Sequence, residues 1–378
     1  MQRHKTMEED NPMDQKMISQ IAIVTLYDEI NIGNKLQNYA LQQILRQYAK
    51  TVDTLSYKEA SSITPLLGWK GKMVLKFGFP KSKAEEKKAI LERWNRFNQF
   101  SKEYLRVCSP KKFSDYNADV SDQYDFFVVG SDQVWHNFSC TNDEIKYFML
   151  RFVEKRKRIC FAPSFGFDSI PESFRDEYIT GFNGFRMLSC REKSGCKMIN
   201  DMTQRTAELM PDPTIGLSAS EWGKIEKHPE YTVPDQFILS YFIGNKSKEN
   251  IEEIDNLSAS LGLPIIDVFD KKNLSYFMTR PDEFLYLIQR TNCVLTNSFH
   301  GSVFAIIFHK KFRLFARSDT DGKTMSARLN TLLEEFHMER NNNGFFETHD
   351  DVDTALKAKR RIIDDYLQRS FSVEKTIS

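Results

Sequence analysis

The chain has no apolar run approaching the roughly 18 residues that a membrane-spanning helix needs, so nothing in it reads as a transmembrane segment. It has no C-x-x-C pair either. Its six cysteines (Cys108, Cys140, Cys160, Cys190, Cys196 and Cys293) are scattered, which fits reduced thiols in a cytosolic compartment better than a disulfide framework. Seven histidines show no zinc-ligand spacing, so no metal site is expected. An excess of one charge is also missing: 53 Lys and Arg nearly cancel 52 Asp and Glu, for a net charge of +1, and no nucleic-acid partner is suggested. No cofactor is called for.

At 378 residues the chain is comfortable as two domains, each with its own core. Residues 1–17 are polar and patternless, and their charged part is followed by no apolar core, so they are expected to form a disordered leader rather than a signal peptide. Beyond them, short apolar segments alternate with helical patterns, which predicts parallel sheets with helices on both faces. The first series has strands near 21–26, 52–56, 125–130, 158–163 and 186–190. The second runs from 236–244 through 264–268 and 293–295 to 312–315. The expected organisation is an α/β fold of two Rossmann-like domains facing across a cleft: 18–215, a proline-bearing hinge at 216–234, then 235–345. A last segment, 346–378, is expected to pack back as a helix.

Six motifs stand at the ends of these segments, where ligands bind in open parallel sheets. They are Asn31-Ile32-Gly33-Asn34 after the first strand, Gly130-Ser131-Asp132-Gln133-Val134-Trp135, Ala162-Pro163-Ser164-Phe165-Gly166, Ser189-Cys190-Arg191-Glu192, Pro211-Asp212-Pro213-Thr214, and Thr296-Asn297-Ser298-Phe299-His300-Gly301-Ser302. In the last of these a strand breaks at polar residues and restarts as a helix. Free backbone N–H groups at such a turn can bind an anion. Gly301 would let the backbone approach a ligand, and a histidine such as His300 can donate a proton near neutral pH.

This ordered set resembles the polysaccharide pyruvyl transferase family over roughly residues 20 to 340. The resemblance implies a fold similar to that of two-domain (GT-B-like) glycosyltransferases. It also implies transfer of pyruvate from phosphoenolpyruvate onto two hydroxyls of a sugar, as a cyclic ketal, in a surface-polysaccharide precursor. Such chemistry demands cations for the carboxylate and phosphate, an acid for the methylene carbon and a base for the hydroxyl. On the donor side the candidates are Arg191, whose fork can clamp an anion bidentately, with His300, Gly301 and Ser302. The family places a further arginine downstream of its histidine; Arg328 fits best, with Arg317 in reserve. Asp132 is the candidate base, or else a helix cap. On the acceptor side, Asn31, Asn34, Gln37 and Gln133 can read hydroxyls through their amides, although Asn31 and Asn34 equally suit a turn. Asp212, between two prolines, reads as a hinge-shaping residue; Trp135 and Phe165 could stack on a pyranose face but read more readily as core. One departure stands out. Several family members carry arginine two residues before the histidine, where this chain has Ser298.

Residues 66–88 mix Leu66, Leu67, Trp69 and Phe77 with lysines. They suit either an insertion packed on the first domain or peripheral contact with an anionic lipid surface. The resemblance implies a sugar or a lipid-linked oligosaccharide as acceptor, which would place the chain in the cytoplasm, at the inner face of the membrane if the acceptor is lipid-linked. Two other readings stay open: a glycosyltransferase using a nucleotide-sugar in the same cleft, and a non-catalytic glycan-binding relative. Replacing Arg191 or His300 by alanine is expected to abolish turnover with the fold intact.

Overall fold

A computed structural model describes residues 17–26, 30–57, 81–136, 141–167, 169–316 and 323–372, with backbone only at 81–86 and 323–326. Arg317 and positions 66–80 of the lysine-rich segment lie outside these residues.

Two wholly parallel four-stranded sheets organise the chain. The first contains β1 (Ile18–Val24), β2 (Ala49–Leu55), β3 (Phe126–Val129) and β4 (Arg158–Cys160), in the spatial order β2-β1-β3-β4. A parallel pair, β5 (Leu188–Cys190) and β6 (Ala207–Leu209), stands beside it. The second contains β7 (Ile238–Tyr241), β8 (Ile265–Asp267), β9 (Cys293–Thr296) and β10 (Phe312–Leu314), in the order β10-β9-β7-β8. Both sheets are wound alike: the second strand of each flanks the first on one side, and the third and fourth continue on the other. Each therefore reverses its direction of winding beside its first strand, between β1 and β3 and between β7 and β9. A crevice opens at such a switch point, outside the carboxyl ends of the strands. The expected two Rossmann-like halves are present. The expected strands are also found, each within a few residues; β6, three residues long, was not foreseen.

Strand alternation explains the cores. In the first sheet Ile21, Ile23, Val128 and Ile159 point to one buried cluster, and Ala22, Val24, Phe127, Val129 and Cys160 to another. Side chains alternate across a strand, so a sheet covered on both faces must be apolar at every position. The first face is covered by α1 (Ile32–Leu45), through Leu36, Tyr39 and Ala40. The second is covered by three of the next four helices. Of these, α3 (Asn142–Phe148), α4 (Arg175–Phe182) and α5 (Lys193–Thr203) supply Tyr147, Phe148, Phe182 and Ile199, whereas α2 (Lys81–Tyr104) lies elsewhere. In the second half, α6 (Lys248–Leu261) covers one face with Ile254. Its other face meets α7 (Pro281–Arg290) and α8 (Phe299–Ile307), in the same cluster that α1 joins. One apolar core thus runs through both halves.

Each half also lends the other a helix. In α2, Arg93 donates to the carbonyls of Val268 and Phe277, while Arg96 pairs with Glu283 at 2.6 Å. Glu103 of α2 pairs with Arg280 at 2.7 Å, so this helix is seated on the second half. Two helices follow β10: α9 (Lys323–Glu335) and α10 (Val352–Phe371). The latter returns to the first half, where Tyr366 donates to the Cys160 carbonyl at 2.7 Å and Arg369 pairs with Glu208 at 2.8 Å. No helix among the described residues is long and apolar enough to cross a membrane.

Candidate functional site

The carboxyl ends of β1, β3, β5, β6, β7 and β9 converge on one buried group of charges. Thr25, just past β1, donates from its hydroxyl to the Ser131 carbonyl at 3.0 Å and so joins the loop after β3 to β1. In that loop Asp132 adopts φ 70°, a left-handed conformation that aspartate tolerates better than most residues. Its carboxylate accepts from Asn34 of α1 at 3.4 Å and pairs with Arg191, just past β5, at 3.4 Å. Arg191 is 1 % exposed and makes a closer bond, 2.5 Å, to Asp212, which follows β6. Its guanidinium also lies over the Phe299 ring, 4.5 Å from the centroid.

Asp212 is the hub. Its Oδ1 accepts from the Thr214 amide at 3.0 Å and hydroxyl at 2.7 Å, an Asx-type turn that the Pro211-Asp212-Pro213 sequence favours. Its Oδ2 accepts from Ser131 at 2.9 Å and faces His300 Nε2 at 3.6 Å. Burial alone would raise the Asp212 pKa. The His300 and Arg191 charges and the Thr214 donor outweigh burial and hold the carboxyl well below its ordinary value. Asp132 follows the same logic: burial opposes ionisation, but Arg191, His300 and Arg328 lower its pKa. Arg191, in turn, is pushed down by burial and more than restored by Asp212 and Asp132.

His300 stands in the first turn of α8, capped by Ser298, whose hydroxyl accepts from the Gly301 amide at 3.5 Å. Its ring lies on Gly33 of α1, so the two halves touch through the imidazole. A Cβ at Gly33 would come 2.4 Å from His300 Nδ1. Beside them the Gly33 amide donates to the Tyr241 hydroxyl at 3.3 Å, at the end of β7. Arg328, on α9, is 4 % exposed and lines a narrow cleft with Arg191, Met210, Asp212, Phe299 and Thr331.

The polysaccharide pyruvyl transferase family model matches residues 31–319. This chain belongs to that family. The match begins at the Asn31 cap of α1 and spans both sheets, including every residue of the charged group except Arg328, nine positions past its end. A search of curated proteins by sequence finds no match. Among solved structures, the UDP-GlcNAc 2-epimerase of Methanocaldococcus jannaschii is similar over 93 % of this chain and 100 % of its own, at 11 % identity and a TM-score of 0.43. The UDP-GlcNAc 2-epimerase of Neisseria meningitidis is similar over 93 % and 100 %, at 7 % and 0.44. MurG of Acinetobacter baumannii is similar over 93 % and 91 %, at 7 % and 0.38.

For this pyruvyl transferase family member, the structure gathers Asp132, Arg191, His300 and Arg328 as the sequence suggested, and corrects four details. Gly301 is not left open to a ligand: a Cβ there would meet the Thr296 hydroxyl at 2.4 Å, so the glycine serves close packing of α8 on β9. The Ser302 hydroxyl turns back to the Ser298 carbonyl at 3.1 Å. Gln37, expected to read a sugar, is fully buried and donates to Thr25 at 3.0 Å. Arg191 is already bonded to two carboxylates, so its removal would leave buried charge unpaired and would destabilise the fold as well as the site. Asn31 caps α1 by accepting from the Asn34 amide at 3.1 Å, and the Gln133 side chain lies against Gly166. Trp135 and Phe165 are core, 5.3 Å apart ring to ring. Asp212, read as a hinge-shaping residue, is instead the centre of the group. His136 was not considered at all; burial and the Arg328 charge lower its pKa. Asp212 carried a signal in the sequence, since it sits in a motif at a strand end, and His136 directly follows another such motif.

Proposed function

We propose that this protein transfers pyruvate from phosphoenolpyruvate to two hydroxyls of a sugar in a surface-polysaccharide precursor, lipid-linked or free, forming a cyclic ketal. The observation that carries this reading is the placement of His300, at the N-terminus of α8, beside Asp212, Arg191 and Asp132 where two switch points face each other, with Arg328 in the adjoining cleft.

In this reading Arg328 and the amides opening α8 hold the donor's two anionic groups. His300 gives a proton to the methylene carbon, which becomes a methyl group and leaves positive character on the central carbon. One sugar hydroxyl adds there and passes its proton to Asp132. The second hydroxyl then replaces phosphate, which departs with the second proton, so that donor and diol become ketal and inorganic phosphate. Ser298 caps the helix where relatives carry arginine, leaving Arg328 and the helix terminus to hold the anion.

The test is a thermal shift of the purified protein with phosphoenolpyruvate, and with UDP-sugars in parallel. A ligand at 100 times its Kd stabilises by about 2.7 kcal/mol. Stabilisation by phosphoenolpyruvate that disappears in His300→Ala supports the donor. Stabilisation by a UDP-sugar alone moves the assignment to glycosyl transfer.

A further inference from the structure

We infer that Phe167, with His136 beside it, is the platform on which the acceptor's sugar ring stacks. The inference rests on the reading that this site takes a sugar diol, and it supplies the ring contact that Trp135 and Phe165 cannot make. Those two are 1 % and 0 % exposed, so neither offers a face to a ligand. Phe167, two residues past Phe165, is only half-buried.

The backbone sets where this ring stands. The loops after β3 and β4 run side by side: Ser164 donates its amide to the Asp132 carbonyl at 2.8 Å, and Trp135 donates to the Ser164 carbonyl at 3.2 Å. Gly166 then turns the chain at φ 69°, a left-handed conformation that glycine adopts without strain. Phe165 and His136 hold Phe167 from two sides, each with its ring centroid 5.5 Å away. Gln133 and His136 both lie on Gly166, where a Cβ would come 1.8 Å from Gln133 Nε2 and 3.1 Å from His136 Cδ2. From Ser164 to Phe167 the chain reaches at most about 11 Å, which keeps the ring on the same strand-end rim as Asp132.

The groups around the ring suit hydroxyls. The Asp132 side chain is 13 % exposed, against 1 % for Arg191, 0 % for Asp212 and 8 % for His300, so a ligand arriving here meets the charged group first at Asp132. The Arg328 charge acts on both Asp132 and His136, which sets the three around one space. Burial and that charge hold His136 below its ordinary pKa. Near neutral pH its ring is therefore uncharged and can donate to one hydroxyl and accept from another. Gln133 adds an amide that does both. An aromatic ring flanked by a few such polar groups holds a ligand's apolar face and fixes its orientation.

Saturation-transfer NMR of the full chain reads this contact without a donor. The probes are the methyl pyranosides of glucose, galactose and mannose, with uridine as the competing ring ligand. At least one pyranoside should receive saturation on the C–H groups of one ring face. Phe167→Leu, which keeps apolar packing on Phe165 but has no ring, should weaken its binding about 3–10-fold, and Phe167→Tyr should retain it. A pyranoside that binds Phe167→Leu as tightly as wild type overturns the inference. Silence from all three also overturns it, as does a signal from uridine alone that is lost in Phe167→Leu, which would give the ring to a nucleobase. If Phe167→Leu does not fold, wild-type protein still decides: transfer on irradiating aromatic protons should exceed transfer on irradiating methyl protons, and the reverse overturns the platform. Ring-dependent pyranoside binding by a protein that releases no phosphate from phosphoenolpyruvate supports the platform and refutes the donor.

Discussion

Replacing Gly33 by alanine should harm this protein, although the same change in an ordinary helix helps. Gly33 lies in the first turn of α1, where alanine would normally gain about 0.5–1 kcal/mol over glycine. Here the new Cβ would stand 2.4 Å from His300 Nδ1, 2.7 Å from its Cγ and 2.9 Å from its Cβ. Carbon contacts settle near 3.5–4.0 Å, so the ring or the helix must retreat by about 1 Å. The ring has little room, because Asp212 and Phe299 stand around it. Overpacking of this kind costs about 1–3 kcal/mol, so the net loss after the helix gain is about 1 kcal/mol. A shift of about 1 Å in a reacting group can cost about 100-fold in rate. The control is Gly223→Ala, where a Cβ meets nothing within 4 Å and the full alanine gain should appear. Urea unfolding of both variants measures the stabilities, and phosphate release from phosphoenolpyruvate measures the rate. A Gly33→Ala midpoint raised as much as that of Gly223→Ala would refute the packing argument.

Three further predictions follow from the buried charges. Arg191→Met should destabilise by about 3–5 kcal/mol, since Asp212 loses its closest cation, and urea unfolding will measure it; a loss under about 1 kcal/mol would contradict the hub. Arg280→Ala should cost a similar amount, about 3–5 kcal/mol, because Asp282 is fully buried against it. That variant should also loosen α2 from the second half, visible as faster amide exchange over 87–104. At high pH, burial pushes Tyr241 and Tyr116 up to about 12. The folded state then holds these protons more tightly than the unfolded chain. Their contribution to stability is intact below about pH 10, the ordinary tyrosine value, and is lost as pH rises toward about 12. Melting temperature and tyrosinate absorbance followed together should fall and rise in that window; tyrosinate from these two residues near pH 10 in the folded protein would refute the burial argument.

The sequence by itself determined that the sheets are parallel and covered on both faces. Val128-Val129 and Ile238-Leu239 are short apolar runs that only a sheet covered on both faces can bury, and helical patterns between such runs impose parallel crossovers. The strand ends were legible for the same reason: an apolar run that stops at Gly130 or Asn297 marks where side chains leave the core. His300, Arg191 and Asp132 could therefore be singled out as candidates from local pattern and motif order, and the structure brings them together.

Only the tertiary structure decided what these residues touch. Asp212 reads locally as a turn between prolines, and it does form that turn with its Oδ1. Its other oxygen meets Arg191, 21 residues away, and faces His300 from the opposite half, neither of which any local pattern encodes. Gly33 and Gly301 look like ordinary small residues until a neighbouring ring or hydroxyl fills the space a Cβ would take. A last helix packing back was expected, but the surface that it meets, and the seating of α2 on the second half, were hidden for the same reason. Periodicity tells a helix which face to bury but not which sheet it will meet, because burial of apolar area is non-directional and the choice of partner rests on long-range contacts such as Arg280–Glu103 and Tyr366–Cys160.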